Sequence, residues 1–120
     1  MSSKNQQRTS YTVLLGSYIA RLRKERGFDQ MTFAKKINMS QPSLSKIETG
    51  QTVLNVIQLR TIARVLNIEP NYILAEIERI ANDIQRRGIT VQDHKPDQSM
   101  NFFLGAAAVA GIIALLMSEQ

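Results

Sequence analysis

Leu15, Tyr18, Ile19 and Leu22 recur at the i, i+3, i+4, i+7 spacing of one helix face, with Arg21, Lys24 and Glu25 on the other side. Gly27 is a natural stop for that helix. Asp29 then caps a short second helix over residues 30–37, with Phe33, Ala34 and Ile37 turned inward. Asn38, Met39 and Ser40 read as a tight turn whose Met39 points into the core. Ser40 is the next N-cap, and Pro42 sits in the first turn, where its missing N–H costs nothing. The third helix runs to about Thr49 and ends at Gly50. Asn55 caps a fourth, with Leu59, Ile62, Ala63 and Leu66 on its inner face. Pro70 opens a fifth, striped by Ile73, Ile77, Ile80 and Ile84 and closed by Gly88. Five short helices with short connections predict an all-α bundle. Strand-like alternation goes no further than Ile89-Thr90-Val91.

The pattern changes after Gly88. Residues 89–99 carry Asp, His, Lys and Pro and read as a linker. Residues 100–117 are apolar except for Asn101, and no charge lies between Asp97 and Glu119, which predicts an apolar C-terminal helix over residues 100–118. The organisation expected is therefore a basic flexible arm (1–10), a helical domain (11–88), a linker (89–99) and that helix. Two readings of the helix stay open. Its apolar length is at the short end of what crosses a bilayer, and His94 and Lys95 flank it as a cytoplasmic side would. Equally, Ala106, Ala110 and Ala114, with Ala107 and Gly111, repeat every fourth residue and suit close packing of helix on helix.

Charge adds a direction to this picture. The chain of 120 residues has a net charge of +5, but the two ends differ. Residues 1–67 hold 11 Lys/Arg against Glu25, Asp29 and Glu48, a net of +8, whereas residues 68–120 are net −3. A basic front half can offset phosphate charge and release counterions. The absence of cysteine excludes disulfides and thiolate metal sites, and the polar first ten residues lack the apolar stretch of a secretory leader. His94 has no second ligand nearby, and no nucleophile–base pair or phosphate-cradling glycine loop stands out. Neither metal, cofactor nor catalysis is expected.

Two short helices joined by a turn of about three residues, the second polar on its open face, form a helix-turn-helix. The detail here resembles the phage Cro and lambda-repressor-like (XRE) helix-turn-helix family. The first helix reads Leu15-Gly16, Ile19, Leu22-Arg23 and Gly27; the second reads Gln30, Phe33-Ala34 and Ile37. The third reads Met39-Ser40-Gln41, then Leu44-Ser45-Lys46-Ile47-Glu48 and Gly50. The fourth reads Leu59, Ile62-Ala63, Leu66 and Ile68. Asp29 stands where the family usually has Ser or Thr, and Val53-Leu54 replaces the usual proline.

Helix geometry selects the open side of the third helix. With Leu44 and Ile47 marking the core, Gln41, Pro42, Ser45, Lys46 and Thr49 face away, and Ser43 falls nearer the core edge. The resemblance implies that these residues enter the major groove of double-stranded DNA. Gln41 is the expected base reader, because its amide matches adenine N6 and N7. Pro42 and Ser45 add contacts, and Lys46 reaches guanine or phosphate. The family's glutamine at position 30 binds a phosphate and braces the reader. Gln51, Thr52 and Asn55 are expected phosphate contacts, Lys4 and Arg8 are placed to follow a groove, and Lys35 and Lys36 read as solvated charges. Glu48 is expected to pair internally with Arg23. Members usually bind as homodimers, for which Ile73, Ile77, Ile80 and Ile84 offer a seam if they are not core. The function implied is a dimeric repressor on a palindromic operator, acting in the cytoplasm at the nucleoid. The alternatives are a toxin-binding autorepressor and a DNA-binding adaptor tethered to the inner membrane through residues 100–117.

Overall fold

The structure, a computed structural model, describes residues 7–93 and 103–119. The expectations for Lys4, His94 and Lys95 lie outside the described residues, as does the start of the tail helix at residue 100.

Five helices follow the apolar periodicity: α1 (Tyr11–Glu25), α2 (Gln30–Lys36), α3 (Gln41–Glu48), α4 (Val56–Leu66) and α5 (Pro70–Arg86). Their starts are fixed by side chains that accept the otherwise orphaned first amides. Ser10, Asp29, Ser40 and Asn55 each accept from the backbone N–H three residues on, and Asn55 with Gln58 completes a capping box. Asn38, at φ 58°, turns the chain between α2 and α3. Gly16 lets α1 and α3 touch, since a Cβ there would lie 2.0 Å from the Ile47 carbonyl oxygen. That contact sets the position of α3 on the domain.

The chain ends depart from expectation. Arg8–Ser10 is not a free arm but a strand, β1, paired in parallel with β2 (Thr90–Gln92) inside the expected linker. Leu104 donates its N–H to the Arg8 carbonyl, and the Thr9 hydroxyl donates to the Leu104 carbonyl at 2.8 Å. The N-terminal strand is thus held on both edges, with Thr9 and Ser10 fully buried. Period-two reasoning fails here because three-residue strands are too short to show a period.

The tail helix, α6 (Ala106–Ser118), packs along α1. Val109, Ile113 and Leu116, one face of the helix, are buried there. Arg87 pairs with Glu119 at 3.7 Å, and the Arg79 guanidinium donates to the Met117 sulfur, so α5 also holds α6. A membrane span, one of the two readings left open for this helix, is not supported. At 13 residues α6 is about 20 Å long, against a hydrocarbon core of about 30 Å, and among the described residues no helix is long and apolar enough to cross a membrane.

The dimer seam expected on α5 is also corrected. Ile73, Ile77, Ile80 and Ile84 are each 0% exposed within the single chain. They join Leu14, Tyr18, Ile62 and Leu66 in one continuous core. A stripe already covered by its own domain has no surface left for a second copy.

Candidate nucleic-acid interface

The outer surface of α3 is built by subtraction. Leu44, Ile47 and Glu48 turn inward, leaving Gln41, Pro42, Lys46 and Thr49 exposed and Ser45 half-buried. Ser43, expected nearer the core edge, is also exposed. Its N–H donates to the Ser40 hydroxyl oxygen, and its own hydroxyl accepts from Ser40. Thr49 is tied back along the helix by its hydroxyl, which donates to the Ser45 carbonyl and accepts from the Gln51 amide at 2.9 Å. Asn55 uses its side-chain oxygen to cap α4. Thr52 and Asn55 remain exposed in the loop beyond α3.

One chain of side-chain hydrogen bonds runs from the interior to this surface. The Arg23 guanidinium donates to both oxygens of Glu48, at 2.6 and 3.0 Å, and to the Phe28 carbonyl at 2.7 Å. Both partners are buried, and the fork-to-carboxylate geometry satisfies the charges that burial would otherwise penalise. The Gln30 amide donates to Glu48 at 2.9 Å, and the Gln41 amide donates to the Gln30 carbonyl oxygen at 2.8 Å.

The direction of this relay is dictated by chemistry. An ionised carboxylate only accepts. Gln30 must therefore turn its NH2 toward Glu48, which presents its oxygen to Gln41. Gln41 must answer with an N–H. One amide hydrogen of Gln41 is consumed, while the second and the carbonyl oxygen stay available. That remaining donor–acceptor pair is what adenine N7 and N6 require. Glu48, on the next helix and 18 residues from Gln30, thus determines which way the exposed amide faces.

Charges around the site are mostly compensating or solvated. Lys35 and Lys36 lie exposed on α2, though Lys36 also sits 5.7 Å from the centre of the Phe28 ring, within cation–π range. Backbone and side-chain hydrogen bonds from Thr32 hold the Asp29 carboxyl below its usual range. Residues 19–73 match the family model described as helix-turn-helix. That match runs from the middle of α1 to the start of α5 and so includes the α2–turn–α3 unit described above.

The helix-turn-helix has a solved counterpart. The crystal structure of the clp gene regulator ClgR from Corynebacterium glutamicum superposes with a TM-score of 0.55 at 20% identity, covering 64% of this chain and 87% of that one. At that identity the likeness is one of fold. No curated protein matches the chain.

The structure brings Gln30 and Gln41 together as the resemblance implied, and pairs Arg23 with Glu48. The expected seam residues Ile73, Ile77, Ile80 and Ile84 lie apart from it, in the core. Sequence reasoning missed two features beside the interface. Val53, Val56 and Ile57 are exposed apolar residues around the Asn55 cap, signalled only by falling off the inner-face period of α4. The other is the first turn of α6, which lies against Gln30 and Thr49 across a groove. No local pattern could place it there, because the approach depends on how the whole tail packs.

Proposed function

We propose that this protein is a sequence-specific DNA-binding transcription regulator that lays α3 in the major groove and acts by binding, without catalysis. The observation that carries this reading is the buried Arg23–Glu48 pair acting through Gln30 on Gln41, which fixes an exposed amide in an adenine-matching orientation. Gln41 reads the base, with Pro42 and Ser45 beside it and Lys46 reaching guanine or phosphate. Gln51, Thr52, Asn55 and the start of α2 position the backbone.

The binding unit is a homodimer on two half-sites one helical turn apart, and its role is repression by occupancy. With the α5 isoleucines buried, the outer face of α6 becomes the surface for a second copy. Gly111, Ala114 and Leu115 are exposed there and apolar.

Selection of bound duplexes from a random pool tests the reading. The expected result is an enriched two-fold motif with adenine in each half-site and centres about 34 Å apart. Binding should weaken steeply with salt. A pool that stays random after repeated rounds, with the protein folded, would overturn it.

A further inference from the structure

A groove with a cavity volume of about 570 Å³ runs between α1 and the first half of α6 and ends against the relay. Its apolar wall is made by Ala20, Ala106, Ala107, Ala110 and Ile113, and Gln30, Glu48 and Thr49 close the end nearest the reading helix. That size and mixture, a mainly apolar wall with a few polar groups, fits a small organic molecule.

Three further observations define the chemistry. Ser17, in the same wall, is 4% exposed, and its hydroxyl has no hydrogen-bond partner within the described residues. Buried hydroxyls are nearly always satisfied, so this one leaves a hydrogen bond that a molecule bound in the groove can fill. The charges also leave a remainder. Arg21 pairs with Glu25 and Arg23 with Glu48, while Lys24 forms no ion pair among the described residues. Finally, α6 begins at Gly105 with no side-chain cap and no acidic residue in its first turn. Its positive end therefore adds to the field of Lys24.

We propose that this groove binds a small organic carboxylate, with its apolar body along the alanine wall and its charge toward Lys24 and the start of α6. Occupancy then presses on Gln30 and Glu48 and alters the alignment of Gln41, so the ligand tunes operator affinity. The regulatory half rests on the DNA-binding reading above; the binding half does not.

Titration of the full chain with benzoate, followed by amide NMR, separates the two. The expected result is saturable shifts at Ser17, Lys24, Ala107 and Ala110, together with movement of the Gln30 side-chain NH2 signals. Neutral benzamide and the Lys24→Gln variant should bind several-fold more weakly. Ala110→Phe, at an exposed position, should fill the groove and abolish benzoate binding while leaving the circular dichroism spectrum unchanged. Saturating benzoate should shift affinity for the selected operator about tenfold. Absence of saturable shifts, equal binding of benzamide, or unchanged binding to Ala110→Phe would overturn the site. Binding that moves neither the Gln30 signals nor operator affinity would overturn the regulation. Benzoate binding by a protein that selects no operator would leave the site standing and remove the DNA reading instead.

Discussion

The two helices flanking α1, α3 and α6, use opposite surfaces. In α3 eight residues carry a polar outer face, and its foremost side chain is oriented by hydrogen bonds reaching back to a buried ion pair. In α6 thirteen residues are almost wholly apolar, with one face buried and the other left as exposed alanine, glycine and leucine. A directional surface needs support from beneath, because an amide on a free side chain would lose rotamer entropy on every contact it makes. A packing surface needs only shape and area. Changes beneath α3 should therefore damage both stability and base preference, whereas changes beneath α6 should damage stability and leave base preference intact.

Arg23→Ala should have the largest effect. It strands a buried Glu48 and should cost about 3–5 kcal/mol in denaturant unfolding, with loss of operator preference in whatever fraction stays folded. A cost near that of a surface substitution would show that the relay is not anchored in the interior. Ile113→Ala comes next. It should remove about 2–5 kcal/mol of stability while leaving the sequence preference of the folded protein intact. Unchanged stability would mean that α6 is not held against α1.

The smallest effect belongs to the Asp29 cap of α2. Its carboxyl is held below the usual range by bonds from Thr32, so the folded state favours the ionised form. Its contribution is complete above the ordinary aspartate pKa of about 3.9 and disappears as pH falls through the lower folded value. The melting temperature gap between the wild type and Asp29→Asn should close in strong acid, since Asn also caps. A gap that persists unchanged would contradict that assignment.

Local chemistry made much of the molecule legible in the sequence. Ser40, Asp29 and Asn55 announced three helix starts, because a side-chain oxygen there serves the first amides of the helix. Gln30 and Gln41 were legible as a pair only through the resemblance. Nothing in their spacing of eleven residues reveals that an acceptor-only Glu48 orients both. The isoleucine stripe on α5 was visible, but a stripe does not say what covers it, and its own domain does. The β1–β2 pairing and the docking of α6 were illegible for a related reason. Both join segments about eighty to one hundred residues apart, and each is stabilised by contacts that no local window contains.

The most direct test of the account is affinity of the wild type and Gln41→Ala for the selected operator and for random duplex, at one salt concentration. The substitution should cost about 1–3 kcal/mol on the operator, remove the preference for adenine at the contacted position, and change random binding little. Equal loss on both DNAs, or full retention of the adenine preference, would contradict the claim that Gln41 is the reader.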